Sequence, residues 1–349
     1  MRGRAAMLGM LLLVASCSRS SDSAPTVSPP ATGAAASVTA VPTSSATAPP
    51  ATPGTPAGPP ATGPPAGQGP ALLAGRADIG GYSLAYRCMG KGSPTVLLEA
   101  GYATSGIATY GTAIQPALAR TTRVCTYDRA GIGTSDARPA NVTPVTAGTQ
   151  AEELHALLAA IHVGHPYVVV GHAYGGLVTR AFAARYPKEV VGMVLLDALG
   201  GPEFAVYDRL NAGAWVDGSV ASAPNQTVDT EATVRELRRA PGLGATPLIV
   251  VTAGVLEDRW LATEPVVAAR AQTRLAKLST DSIHVLDRNQ GRFLPQTDPT
   301  TVVVAVRAVL DAVKARTSLP PCEQVFAAVK TAKCLERGQL GVQQLKPAA

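Results

Sequence analysis

The chain has 349 residues, 46% of them hydrophobic, 15% charged and 4% aromatic, with 34 glycines, 29 prolines and a formal net charge of +6. These figures exclude a collagen-like repeat, a coiled coil, a small disulfide scaffold and a multi-span membrane protein. The positive charge is scattered, without Lys/Arg runs or interleaved aromatics, so it is no nucleic-acid footprint.

Arg2 and Arg4 precede an apolar run from Ala5 to Ala15, too short to span a bilayer but of the length of a secretory core. The run ends in Val14-Ala15-Ser16-Cys17, which resembles the bacterial lipobox. That resemblance implies that residues 1–16 are a lipoprotein signal peptide, cleaved before Cys17, and that Cys17 carries the lipid. A plain secretory signal with an incidental cysteine is the competing reading. Two or more acyl chains anchor stably where one is marginal.

Residues 18–70 hold 13 of the prolines, two charged residues (Arg19 and Asp22) and no aromatic, so they cannot bury enough apolar surface to fold. As a random coil this tether holds a domain on the order of 40 Å from its anchor. The expected place is the outer face of a bacterial cell membrane, with the membrane as a partner through the lipid. The remaining 279 residues, from Ala71 onward, suit one large domain with its own core. Its body is expected over 71–319, with a cysteine-containing extension over 320–349.

With Cys17 set aside, Cys88, Cys125, Cys322 and Cys334 are an even number in an oxidising compartment and allow three connectivities. Cys88 and Cys125 fall on adjacent strand-like stretches, which favours their pairing. Cys322 with Cys334 comes next, although a straight helix over 323–333 would part its ends by about 18 Å, too far for a disulfide. That pairing requires a bend.

Within the domain, a hairpin-like segment (Asp78 to Cys88) is followed by short apolar runs: Thr95 to Glu99, Arg123 to Tyr127, Tyr167 to Gly171, Gly192 to Leu196, Leu248 to Thr252 and Ile283 to Leu286. Each is of strand length and apolar on both faces, as in a buried parallel sheet. Between them, Leu154, Leu157, Leu158 and Ile161 recur at helical spacing, and Val302, Val306, Val309 and Val313 continue one face of a last helix. Asp298 and Pro299 are its expected N-cap and first residue. The order βαβα predicts an open, doubly wound, mostly parallel α/β sheet. Residues 198–246, with Trp215 and a helical pattern over Glu231 to Arg239, interrupt the rhythm where a cap over a pocket is expected.

Tyr167-Val168-Val169-Val170-Gly171-His172-Ala173-Tyr174-Gly175-Gly176 reads as strand, sharp turn and helix, with glycines two before and two after the apex. The pattern resembles the nucleophile elbow G-x-S-x-G of the α/β-hydrolase family, and specifically its secreted bacterial members. Further matching stretches are Gly92 to Gly101, Tyr127-Asp128-Arg129-Ala130-Gly131-Ile132-Gly133-Thr134-Ser135-Asp136 and Val194 to Ala198, so that the resemblance runs from Gly75 to Arg316.

The resemblance implies a serine at the apex, where this chain has Ala173, and a histidine after the last strand, where Asn289-Gln290-Gly291-Arg292-Phe293-Leu294 places Arg292. A methyl group cannot attack a carbonyl, and an arginine stays protonated and cannot act as general base. Candidates for the third member are Asp197, or Glu257 and Asp258. What the resemblance retains is the oxyanion hole, formed by the backbone amides of Tyr174 and of Gly101 and Tyr102.

His284 lies within a strand, where it reads as a sheet residue rather than a relocated base. His172, beside the apex, reads as packing. His155, His162 and His165 have no metal-ligand spacing and read as solvated loop and cap residues, so no metal or cofactor is expected. Two functions remain. One is a membrane-tethered pseudoenzyme binding a small carboxylate or a protein, with Arg292 either reading the carboxylate or pairing with Asp197, Glu257 or Asp258 and plugging the pocket. The other is an active hydrolase of ester-like or other acyl substrates with a non-standard catalytic set.

Overall fold

A computed structural model describes residues 72–142, 144–210, 227–256, 265–336 and 339–347. The expectations for the signal, Cys17, the tether, Trp215, Glu257 and Asp258 lie outside the described residues.

The apolar runs are too short for helices and rich in β-branched residues, which pack well on a pleated surface. They form β3 (Thr95–Glu99), β4 (Val124–Tyr127), β5 (Tyr167–His172), β6 (Val190–Leu196), β7 (Leu248–Ala253) and β9 (Ser282–Asp287). With β1 (Leu72–Asp78), β2 (Ser83–Met89) and β10 (Ala332–Leu335) they make a nine-stranded sheet in the order β1-β2-β4-β3-β5-β6-β7-β9-β10. The six central strands run parallel, and β1, β2 and β10 add antiparallel margins. Every residue of β3, β4, β5 and β7 is buried, as a sheet covered on both faces requires.

The hairpin begins earlier than the expected Asp78: Leu72 pairs with Met89 and Asp78 with Ser83. β1 is almost wholly exposed, so it carries no alternating burial pattern by which sequence could mark it.

One face of the sheet is covered by α1 (Gly106–Tyr110), α2 (Ile114–Leu118) and α9 (Pro299–Ala315), through Tyr110, Ile114, Leu118, Val302, Val306 and Val309. As expected, Asp298 caps α9 by accepting from the Thr301 amide at 3.0 Å, with Pro299 as first residue. The other face is covered by α3 (Ala147–Ala160), α4 (Gly175–Arg185) and α7 (Pro265–Ala276), through Leu154, Leu157, Leu177, Phe182, Ala268 and Leu275. Between β6 and β7 lie α5 (Gly201–Leu210) and α6 (Thr230–Arg239). Glu236 of α6 accepts from the Gly148 amide and the Thr146 hydroxyl, at 3.0 and 2.9 Å, which fastens it to the start of α3. Among the described residues no helix is long and apolar enough to cross a membrane.

Cys88 and Cys125 face each other across the β2–β4 pair and are bonded, with Cα atoms 4.0 Å apart. Cys322 and Cys334 are bonded as well, 5.8 Å apart. The bend that this pairing needs is present, because α10 (Cys322–Val325) stops after one turn and β10 follows at Ala332.

Candidate functional site

The apex of the turn between β5 and α4 is Ala173, at φ 49°. A left-handed conformation costs a residue with a Cβ about 1–2 kcal/mol, and here backbone bonds enforce it. Ala173 donates to the Leu196 carbonyl at 3.0 Å, and its own carbonyl accepts from Gly176 and Leu199 at 3.1 and 2.9 Å. The flanking glycines are required by close approach. A Cβ on Gly171 would stand 2.4 Å from Thr179 Oγ1, and one on Gly175 would stand 2.5 Å from the Ala100 carbonyl. The start of α4 therefore lies against the end of β3, which brings the Tyr174 turn beside the Ala100–Tyr102 loop.

That loop is held from beneath by a buried ion pair that sequence reasoning missed. Arg129, after β4, pairs with Glu99 at the end of β3, and both side chains are at most 2% exposed. The same guanidinium donates to the carbonyls of Ala100, at 2.9 Å, and Gly101. Its centre lies 5.5 Å from the Tyr174 ring centre, and Tyr174 meets Tyr102 edge-on at 5.6 Å. Burial pushes the Glu99 carboxyl up, and the charge of Arg129 opposes that shift. By clamping two successive carbonyls, Arg129 fixes the peptide planes of the loop to which the resemblance assigns the Gly101 and Tyr102 amides. The available signal was the Asp128-Arg129-Ala130-Gly131 stretch, but nothing in it identifies Glu99 as the partner.

Arg292 lies in the loop between β9 and α8 (Leu294–Thr297). Its carbonyl accepts from His172 Nε2 at 2.7 Å. His172 is thus more than packing, since it ties the β5 turn to the Arg292 loop. Burial lowers its pKa to about 4; the bond to the Arg292 carbonyl opposes this and the Arg292 charge adds to it. Arg292 lines a cavity of about 20 Å³ with Asp197, Ala198, Leu199, Thr252, Ala253, Leu256, Ala268, Gln272 and Leu345. Asp197 has φ 40° and accepts from the Ala253 amide at 3.3 Å. Of the three acid candidates it is the one within the described residues, and it shares this cavity with Arg292.

His284 sits in β9, 1% exposed, with Nε2 2.9 Å from the Thr252 hydroxyl. Burial lowers its pKa to about 4. Thr252 in turn donates to Gln272, whose amide donates to the Ala198 carbonyl at 2.8 Å, so His284 belongs to a polar chain behind the cavity wall. His155, His162 and His165 share a groove elsewhere. His155 stacks on Tyr186 with centroids 3.9 Å apart and faces Glu189 at 3.3 Å, and His162 occupies a left-handed position at the end of α3. Among the described residues no group of three or more His, Cys, Asp or Glu is placed to hold a metal ion.

An open α/β sheet with a strained β5–α4 apex, a clamped loop after β3 and helices inserted between β6 and β7 defines a class of architecture with its site at the carboxyl ends of the strands. It is the α/β-hydrolase fold. A family model described as the alpha/beta hydrolase fold matches residues 94–227. The Bacillus subtilis protein YqjL is 29% identical over 229 residues, 62% of this chain and 83% of that protein. An AB hydrolase superfamily protein of Gibberella zeae is 38% identical over 108 residues, so that the chain spans 32% of that relative's length. Among solved structures, mouse α/β-hydrolase domain-containing protein 10 aligns over 69% of this chain and 99% of its own, with TM-score 0.55 and 13% identity. A thermophilic esterase from Thermogutta terrifontis aligns over 69% and 99%, with TM-score 0.52 and 20% identity.

Proposed function

We propose that this protein is a pseudoenzyme of the α/β-hydrolase fold that binds a small carboxylate, or another anionic ligand, beneath its cap. A lipid on Cys17 and the 18–70 tether would hold it at the outer face of a bacterial cell membrane. The observation that carries this reading is Ala173. The turn keeps its strained φ, its close-packed glycines and its bonded carbonyl, yet presents a methyl group with no lone pair to attack an acyl carbon. Arg292 is a second departure, at the place where the family resemblance puts the base. Loss of either a nucleophile or its base costs on the order of a millionfold in turnover, and an oxyanion hole alone leaves about 10³ to 10⁴ over water. Binding requires neither. The amides of Tyr174, Gly101 and Tyr102 depend on backbone alone, and a guanidinium suits a carboxylate through paired hydrogen bonds.

Calorimetry of the purified chain with acetate, butanoate, malonate and benzoate tests the reading. Binding that is lost in Arg292→Ala supports it; no binding, or binding unchanged in that variant, sinks it. Fluorophosphonate labelling, or hydrolysis of p-nitrophenyl esters that one substitution abolishes, would establish the opposite function, an active hydrolase with a non-standard set. For the anchor, labelled palmitate should enter the chain in a bacterial host and fail to enter Cys17→Ser.

A further inference from the structure

The cavity beside Arg292 has room for about one water molecule, too little for a carboxylate ligand. One of its walls is supplied from the far C-terminus. After β10, which the Cys322–Cys334 bond ties to α10, residues 339–347 return to the carboxyl ends of the strands. Leu340 and Leu345 are 7% and 8% exposed and join the same apolar core as Leu199, Leu256 and Ala268. The Lys346 amide donates to the Gly254 carbonyl at 2.8 Å, and β11 (Lys346–Pro347) pairs with β8 (Val255–Leu256). The Val255 amide donates at 3.0 Å to the carbonyl of Gln290, two residues before Arg292. The C-terminal segment is therefore paired with β8, and β8 is bonded to the loop that carries Arg292.

We infer that residues 339–347 are a built-in strap over the Arg292 cavity, with Leu345 standing where the apolar chain of a short aliphatic carboxylate would lie. The ligand class follows from the lining: Arg292 contributes a cation, which an anionic ligand would share with the Asp197 carboxylate, while Leu199, Leu256 and Ala268 contribute aliphatic surface. A charged head with a few carbons behind it satisfies both, and it fits only when Leu345 moves aside. The backbone attachment is short, since its strand is two residues long, and Leu340 and Leu345 are what hold the segment down. The ligand class rests on the binding role proposed above; the strap does not.

Two readouts separate them. The first is modification of Arg292 by phenylglyoxal, followed by peptide mass spectrometry in the full chain, in a chain ending at Gly341 and in Leu345→Ala. The strap predicts labelling at least about tenfold faster in the shortened chain, and an intermediate rate in Leu345→Ala. The point variant keeps the backbone bonds of the segment and serves if the shortened chain fails to fold. Equal labelling in Leu345→Ala and the full chain overturns the strap. The second readout is calorimetry with acetate and pentanoate. Leu345→Ala removes about three carbons, so pentanoate should bind it at least about tenfold tighter than it binds the full chain, with acetate unchanged. Faster labelling with no carboxylate bound by either chain leaves the strap standing and overturns the ligand class.

Discussion

His172 and Arg292, 120 positions apart, are joined by a 2.7 Å hydrogen bond from the imidazole Nε2–H to the arginine carbonyl. A carbonyl only accepts, so this bond fixes the tautomer and leaves Nδ1 as a bare acceptor, which has no hydrogen-bond partner among the described residues. The bond sets the position of the Arg292 loop on the last residue of β5, next to Ala173. Replacing His172 by Leu should cost about 1 kcal/mol, the net contribution of a partly buried hydrogen bond. Gln, whose side-chain amide can still donate, should recover part of it. Urea unfolding of the two variants checks this, and equal losses would refute it.

Stability should depend on pH through three buried groups of opposite sign. His172 and His284 have folded pKa values lowered to about 4, so the unfolded chain gains protons first as pH falls. Each contributes stability that is full above about pH 6.5 and is lost between there and pH 4, up to about 3 kcal/mol apiece. Asp287 is raised to about 6, first by burial and further by the nearby Asp298 carboxylate. Its contribution runs the other way: present at low pH, lost as pH rises from about 4 to 6, again up to about 3 kcal/mol. Asp287→Asn should therefore gain on the parent between pH 5 and 8, and His284→Gln should flatten the fall below pH 6.5. Unfolding midpoints across pH 4–8 give both comparisons.

Glu99 and Arg129 should behave as a unit. Removing one partner strands the other in a site at most 2% exposed, and such a loss typically costs 3–5 kcal/mol. Arg129→Met should thus be strongly destabilising, while Glu99→Leu with Arg129→Met should cost clearly less than the two single changes added together. Strict additivity in a double-mutant cycle would show that the pair is not coupled.

The two disulfides span 37 and 12 positions. On the chain-entropy estimate, opening the first costs about 4 kcal/mol and the second about 3. Cys88→Ser/Cys125→Ser should lose more than Cys322→Ser/Cys334→Ser, as measured by thermal unfolding.

Restoring both departures tests what the scaffold has kept. Ala173→Ser with Arg292→His should gain measurable turnover of short p-nitrophenyl esters, and either change alone should give none. Silence of the double variant, with its fold intact by circular dichroism, would mean that Asp197 or the clamped loop no longer stands where acyl transfer needs it.

The sequence by itself determined the central strands, the elbow and the favoured Cys88–Cys125 pairing, because each is written in contiguous residues or in strand-length apolar runs; it left the connectivity of the four cysteines open. Gly171, Ala173 and Gly175 announce a strained turn within five positions, and Asp298-Pro299 announces a helix start within two. The exposed β1 was legible only in part, since a strand without a buried face leaves no period of two. Only the tertiary structure decided what surrounds Arg292. Asp197 follows β6, His172 closes β5 and Leu345 returns from the C-terminus. Those segments meet through long-range packing and single hydrogen bonds, which impose no spacing on the chain. Glu99 and Arg129 are hidden for the same reason: a buried charge must find its counter-charge in space, and neither residue's sequence neighbours say where that is.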